Sequence, residues 1–258
     1  MEILIKACIC FIAGIGAGLG TGFAGMSAAA AISPILITFL KMPAYEAVGV
    51  ALASDVLASA VSAYTYWKNK NLDIKNGIIM MVIILLFTTI GSWASSLLPS
   101  TTMGNFSVFM TMMLGIKFIM KPVMTTKESM NVLDTKQRII RSVLCGIFIG
   151  FICGFVGAGG GMMMLLVLTS VLGYELKTAV GTSVFVMAFT AFTGAVSHFA
   201  IDGIPDLWCL AVCMFSTLLW ARIAARIANK AEARTLNQIT GVILIMIGVV
   251  ILGVNLLT

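Results

Sequence analysis

Residues 153–164 read CGFVGAGGGMMM and hold five glycines within eight positions. These glycines are Gly154, Gly157, Gly159, Gly160 and Gly161. Apolar sequence flanks the stretch on both sides, although glycine in a helix is about 1 kcal/mol less favourable than alanine. Glycine also allows a ligand or a second backbone to approach closely. The stretch therefore predicts a break in helical structure inside an apolar region, at a point of close approach.

The composition indicates the environment that surrounds this chain. Of its 258 residues, 60% are hydrophobic and only 10% are charged, whereas soluble domains carry about 25% charged residues. So few charges cannot cover a water-facing surface, which makes the lipid bilayer the expected surroundings. The net charge is +6, and the charged residues lie between apolar segments. This distribution indicates that they orient the protein in the membrane, so no nucleic-acid partner is expected.

Ten apolar segments predict an all-α, polytopic membrane protein. They cover residues 4–20, 27–40, 45–66, 76–97, 103–120, 139–156, 160–172, 178–199, 205–227 and 237–256. A membrane span needs about 20 apolar residues. Segments 27–40 and 160–172 are shorter, and each follows a glycine-rich stretch. We expect each short segment to form a broken or re-entrant hairpin with the segment before it.

An internal repeat supports this organisation. Residues 14–67 align without a gap on residues 146–199 after a shift of 132 positions. Under this shift Gly14, Gly18, Gly22 and Gly25 fall on Gly146, Gly150, Gly154 and Gly157, and Ala47–Gly49 falls on Ala179–Gly181. A fixed offset across separate clusters indicates duplication. We predict one transmembrane domain over 1–258, with repeat one at 1–120, a cytoplasmic linker at 121–138 and repeat two at 139–258.

The charges of the loops predict that the two repeats have opposite orientations. Basic residues predominate in loops 67–76, 121–141 and 222–235, whereas loops 97–103 and 200–206 contain none. Basic loops are cytoplasmic in membrane proteins. Each half must then cross the membrane an odd number of times, which one hairpin and three spans provide. This arrangement of inverted repeats is typical of transporters, and it predicts a multi-pass protein of the inner (cytoplasmic) membrane with its N-terminus outside.

The two hairpin tips are the predicted substrate site. A short helix after each tip begins with unpaired N–H groups at the positive end of its dipole, which attracts anions. No Arg or Lys lies in the middle of a span, so an anion would depend on backbone and hydroxyl donors. The predicted binding residues are Gly25, Met26, Ser27, Gly157, Gly159, Gly160 and Gly161, with the hydroxyls of Ser54, Thr182 and Ser183.

Alternative roles remain for several of these residues. The stripes upstream of the tips, such as Gly14-x-x-x-Gly18-x-x-x-Gly22, are typical of close helix packing. The three hydroxyls could instead bond to carbonyls of their own helices. Asp55 lies about ten residues into an apolar segment, where an acid is costly. We expect it to couple transport to protons, with structural pairing as the alternative.

The remaining residues offer little chemistry of other kinds. His198, the only histidine, lies near the end of its predicted span. The six cysteines all fall in apolar segments, without partners at zinc-site spacing. No metal site and no cofactor are therefore expected. An intramembrane enzyme is disfavoured because one histidine and one acid within a span form no catalytic pattern.

These motifs resemble the TauE/SafE sulfite exporter family, also called sulfonate uptake permeases. The similar stretches are GFVGAGGG at 154–161, AVGTS at 179–183, GFAG at 22–25 and AVG at 47–49, with Pro34 after the first cluster. Met26, Ser27 and Ala28 stand where the family has more glycine. The resemblance implies transport of sulfite, sulfonates or related small sulfur-containing anions across the cytoplasmic membrane.

An anion channel of the same architecture is the alternative function, because channels also line their pores with helix ends and backbone dipoles. Duplicated inverted hairpins favour a secondary transporter with alternating access. The sequence leaves open the exact substrate, the direction of transport, the coupling ion, the oligomeric state, and whether the hairpins span the membrane fully.

Overall fold

The fold is built from helices throughout the ranges that the structure, a computed structural model, describes: residues 2–95, 112–113, 115–126, 135–156 and 160–257. Nine helices have defined bounds within these ranges. They are α1 (Glu2–Ala24), α2 (Ala29–Leu40), α3 (Ala44–Lys68), α4 (Ile74–Ser95), α5 (Thr135–Val156), α6 (Gly160–Ser170), α7 (Leu176–Asp202), α8 (Leu207–Lys230) and α9 (Ala233–Leu257). Residues 115–120 are also helical.

Five helical segments of the described chain are long and apolar enough to cross a membrane. They are Ile3–Ala24, Glu46–Lys68, Leu176–Ala200, Leu207–Lys230 and Ala233–Val250. Shorter apolar helices cover Ala29–Leu40, Ile74–Thr88 and Ile139–Phe151. The prediction of an all-α, multi-pass membrane protein is confirmed.

The first glycine-rich region interrupts the helix at its last glycine and not before. α1 continues through Gly14, Gly18 and Gly22 and ends at Ala24. Gly25 then has φ +62°, a left-handed conformation that glycine adopts without steric cost. Residues 25–27 are non-helical, and α2 follows.

The glycine stripes upstream of the breaks pack helices together. A Cβ on Gly18 would lie 2.6 Å from the Thr217 carbonyl oxygen of α8, and one on Gly14 would lie 2.6 Å from the Ser216 Cβ. In the second half, a Cβ on Gly150 would lie 2.7 Å from the Ile84 carbonyl oxygen of α4. The packing interpretation of these stripes is confirmed, because any side chain would push the two backbones apart.

Three helix pairs form the most extensive contacts: α1 with α8, α4 with α5, and α3 with α7. The short helix α2 packs against α1, α3 and α9, and the short helix α6 packs against α5 and α7. Both short helices are thus surrounded by longer ones. The core is made largely of small and branched side chains, among them Ala17, Ala47 and Val180, which lets the helices approach closely.

The basic loops meet at one end of the helix bundle. Asn71, in the loop between α3 and α4, donates through Nδ2 to Asn229 Oδ1 near the end of α8, at 2.6 Å. Asn237 of α9 accepts from the Val123 amide at 2.7 Å and donates to the Val123 carbonyl oxygen at 2.9 Å. These contacts place the described parts of the three basic loops on the same side of the bundle, as the charge pattern predicts.

The loop before α8 lies at the opposite end of α3. The Asp206 amide donates to Glu46 Oε1 in the first turn of α3 at 2.9 Å, and Lys6 Nζ lies 3.9 Å from Asp206 Oδ2. The Asp206 carboxylate caps α8 by accepting from the amides of Trp208 and Cys209. Burial raises the pKa of Asp206, but these hydrogen bonds and Lys6 outweigh it and hold the pKa below its ordinary value. Loop 97–103, predicted at this end, lies outside the described residues.

Candidate substrate site

The two glycine-rich regions touch each other in the interior. A Cβ built on Gly161, the second residue of α6, would lie 2.4 Å from the Gly25 carbonyl oxygen. It would also lie 3.1 Å from both the Met26 Cα and the Ser27 backbone nitrogen. All three of these neighbours are backbone atoms, so only glycine fits at position 161 without displacing the turn. The predicted meeting of residues 25–27 with the start of α6 is present.

Ser183 joins the two regions by hydrogen bonds. Its hydroxyl is fully buried on α7 and donates to the Gly25 carbonyl oxygen at 3.0 Å and to the Gly161 carbonyl oxygen at 3.4 Å. One side chain therefore bridges the turn after α1 and the first turn of α6. This is a second way in which the site depends on both halves of the chain.

The sequence predicted that the backbone amides of residues 25–27 would all be free donors, and the structure differs from this prediction. The Gly25 amide donates to the Thr21 carbonyl oxygen at 3.0 Å, and the Met26 amide donates to the Gly20 carbonyl oxygen at 3.3 Å. These two bonds close the end of α1 and remove both amides from any ligand in this conformation. Among the described residues, no carbonyl accepts from the Ser27 amide. The donor that this turn offers is therefore Ser27.

Asp55 is held at the start of α2 by two serine hydroxyls. Ser27 Oγ donates to Asp55 Oδ2 and Ser59 Oγ donates to Asp55 Oδ1, each at 2.8 Å. Ser27 Oγ also accepts from the Ala29 amide at 3.3 Å, so it caps α2 while it holds the carboxylate. Asp55 is 0% exposed, and within the described ranges no basic side chain forms an ion pair with it. Ser59 was missed in the sequence, although its position one turn after Asp55 is the signal that predicts this contact.

Ser54 and Thr182 do not join this cluster. Ser54 Oγ donates to the Val50 carbonyl oxygen one turn earlier, at 2.8 Å, which is the alternative that the sequence left open. Ser54 precedes Asp55 directly, so the helical rotation per residue turns it away from the face that carries Asp55. Thr182 Oγ1 accepts from the Asp73 amide at 3.2 Å. It therefore anchors the loop between α3 and α4.

Three predicted site residues belong to the break between α5 and α6. Gly160 is the first residue of α6. Gly157 and Gly159 lie outside the described residues. The first four amides of a helix have no partners within it, so the α6 start at Gly160 contributes donors beside Ser27.

A partly buried polar cluster around Asp73, at the end with the basic loops, was not predicted. Tyr174 Oη donates to Asp73 Oδ2 at 2.8 Å, and Asn76 Nδ2 donates to the same oxygen at 2.6 Å. Lys177 Nζ donates to the Asn229 carbonyl oxygen at 3.0 Å. The sequence feature that could have predicted this cluster is the run of Asn and Asp residues in the short loop between α3 and α4. The Tyr174 bond joins the loop between α3 and α4 to the loop before α7, and the Lys177 bond joins α7 to α8.

The opposite end contains a cavity of about 170 Å³. It is lined by Glu46, Gly49, His198, Phe199 and residues 203–205. His198 thus borders a cavity and is not among the residues that form the hydrogen bonds described above with Ser27, Asp55 or Ser183. No group of three or more His, Cys, Asp or Glu side chains suited to a metal ion occurs in the part of the chain that is described.

Comparisons with known proteins agree with this architecture. Residues 10–251 match the sequence model of the family described as sulfite exporter TauE/SafE. The chain is 26% identical over 246 residues to the probable membrane transporter protein YunE of Bacillus subtilis (strain 168), covering 90% of this chain and 89% of that protein. It is also 26% identical over 260 residues to the probable membrane transporter protein MJ0441 of Methanocaldococcus jannaschii, covering 93% and 95%. No solved structure matches the chain.

Proposed function

We propose, because this chain belongs to the TauE/SafE sulfite exporter family, that it is a secondary transporter of small sulfur-containing anions across the cytoplasmic membrane. Sulfite and sulfonates are the substrate class that the family description and the site chemistry favour. The curated relatives are described as probable membrane transporters, which supports transport and leaves the substrate to be tested.

The observation that carries this proposal is the contact of Gly161 with the backbone of Gly25–Ser27. Two helix starts, those of α2 and α6, converge there in the interior. Each helix N-terminus is equivalent to about half a positive charge, so the pair offsets roughly one negative charge without a basic side chain. The Ser27 amide and the first amides of α6 supply the hydrogen bonds. A singly charged anion fits this site better than a dianion.

Reciprocal contacts support inverted repeats with glycine-rich hairpins. Gly181 packs against Tyr66, and Gly49 packs against His198. Subtracting 132 from Gly181 gives position 49, and subtracting 132 from His198 gives position 66. The two contacts thus exchange under the sequence repeat, which is what a pseudo-two-fold axis between the halves produces. The pairs α1–α8 and α5–α4 exchange in the same way.

The basic end of the bundle is proposed to face the cytoplasm, following the positive-inside rule. It carries Lys68, Lys75 and Arg226 among other basic residues, whereas the opposite end carries Glu46 and Asp206, with Lys6 beside Asp206. This orientation puts the cavity beside Glu46 on the outside. It puts the Asp73 cluster on the inside.

Asp55 is proposed to couple transport to protons. It contacts the turn at residues 25–27 through its hydrogen bond with Ser27, 28 residues away in sequence, and it has no ion-pair partner among the described side chains. A carboxyl group can accept and release a proton, as acids within the spans of membrane transporters do. Structural pairing with Ser27 and Ser59 remains the alternative to this role.

Reconstituted proteoliposomes test the proposed function. We expect saturable uptake of sulfite or methanesulfonate and accelerated counterflow when the same anion is loaded inside. Gly160→Leu should abolish both, because it fills the start of α6. Gly16→Leu is the matched control, since a Cβ on Gly16 meets nothing within 4 Å. Conductive, non-saturating flux would identify an anion channel, and no flux of either anion would refute the substrate class.

A further inference from the structure

The Asp55 carboxylate already occupies an anion position at the start of α2. Ser27 lies in the turn before that helix, and its hydroxyl both accepts from the Ala29 amide and donates to Asp55 Oδ2. A carboxylate close to a helix start interacts favourably with the dipole. The side chain is fully buried. Asp55 therefore takes the place that an external anion would need in order to use the same helix start.

Among the described side chains, none of opposite charge forms an ion pair with Asp55. Helix α3 packs against α1, α2, α7 and α8, and α2 contains no ionisable residue. The titratable groups with described side chains on α3 and on the helices against it are Lys6, Cys8, Cys10, Glu46, Tyr64, Tyr66, Lys68, Lys177, His198, Cys209, Cys213, Arg222, Arg226 and Lys230. The basic ones lie in the first two or last three turns of their helices, whereas Asp55 lies near the middle of α3.

We infer that the ionised Asp55 carboxylate and the transported anion exclude each other, so that Asp55 must be protonated before the anion binds between the turn at residues 25–27 and α6. This inference rests on the proposed function, and it names the regulation of the same site. It makes the transported unit one anion and one proton.

Two physical arguments carry the exclusion. The Ser27 hydroxyl has one proton, and its 2.8 Å bond to Asp55 leaves at most a weak shared bond for a substrate oxygen. Two negative charges a few ångströms apart in a buried site also repel strongly, because no basic side chain among the described residues lies beside Asp55 to screen them. With Asp55 neutral, Ser27 is free to turn to the substrate. The site then holds a single negative charge before and after the exchange.

Binding of methanesulfonate tests the inference, because a sulfonate keeps its single charge across the pH range of the experiment. In wild-type protein in nanodiscs, the affinity should fall about tenfold for each unit of rising pH once Asp55 is ionised. Calorimetry in buffers of different ionisation enthalpy should then show uptake of about one proton per anion bound. Asp55→Asn mimics the neutral carboxyl, so its binding should be independent of pH and should take up no proton.

Two serine variants separate this role from a structural one. Ser59→Ala removes one donor to the carboxylate while Asp55 remains, so the pH range of the affinity loss should move upward. Ser62→Ala is the matched control on the same helix, because its buried hydroxyl has no hydrogen-bond partner among the described atoms, and it should behave as wild type. Binding by wild type without proton uptake, or an unchanged pH slope in Asp55→Asn, overturns the inference alone. Absence of binding in every protein, with sulfite as well, overturns the proposed function together with the inference.

Discussion

Gly161→Ala should separate the two halves of the proposed site. The added Cβ would lie 2.4 Å from the Gly25 carbonyl oxygen, whereas ordinary contacts begin near 3.4 Å. The start of α6 must therefore move by about 1 Å, since its neighbours Met26 and Ser27 also present backbone atoms. A move of this size draws the α6 amides away from Ser27.

We expect Gly161→Ala to weaken both folding and binding. Overpacking of a buried site costs about 1–3 kcal/mol, and alanine regains about 1 kcal/mol of helix propensity relative to glycine. The net loss of stability is therefore about 0–2 kcal/mol, small enough for the protein to fold. Binding loses the alignment of the two helix starts, and we expect at least a tenfold fall in affinity for sulfite or methanesulfonate, about 1.4 kcal/mol.

The assay is anion binding to purified protein, with thermal unfolding measured on the same samples. Gly16→Ala is the control, because it adds the same methyl group to α1 with no atom within 4 Å, and its affinity should equal that of wild type. Wild-type affinity and an unchanged unfolding temperature in Gly161→Ala would refute the reasoning. The substrate would then bind elsewhere.

Three further predictions follow from single contacts. Ser183→Ala leaves the Gly25 and Gly161 carbonyl oxygens without their bridging donor, so thermal stability should fall by about 1–3 kcal/mol, and unchanged stability would contradict the bridge. Asn71→Ala breaks the 2.6 Å bond to Asn229 and should make a cysteine placed in loop 67–76 react faster with maleimide. In intact cells an impermeant maleimide should label a cysteine at Ile204, which is 77% exposed, and should spare one at Lys70; the reverse pattern would invert the orientation.

The positions of the helices could be predicted because apolar length decides them. The segments expected at 27–40 and 160–172 correspond to α2 (Ala29–Leu40) and α6 (Gly160–Ser170), within two residues at each end. Membrane segments can be predicted in this way because each must form its backbone hydrogen bonds internally over the fixed thickness of the bilayer. The glycine spacing was also informative, because closely packed helices place small residues at every fourth position along the contact face.

The partners of the hydroxyl groups could not be predicted in the same way. Ser54 and Ser59 are both serines of α3 beside Asp55, yet one bonds to a carbonyl of its own helix and the other to the carboxylate. The difference arises because the two serines lie on different faces of α3 and therefore meet different groups on the neighbouring helices. The prediction of free amides at Gly25 and Met26 was wrong, because the end of α1 uses both amides to close its own last turn.

The repeat supplies the frame of the site, while its chemistry comes from positions where the halves differ. Under the shift of 132, the equivalents of Asp55, Ser59 and Ser183 are Met187, Ala191 and Ala51. The carboxylate and its second donor thus exist only in the first half, and the bridging hydroxyl exists only in the second. A symmetric frame allows two equivalent conformations that face opposite sides of the membrane. In the proton coupling proposed for Asp55, a single carboxylate carries one proton per cycle, which matches the single charge that two helix starts can balance.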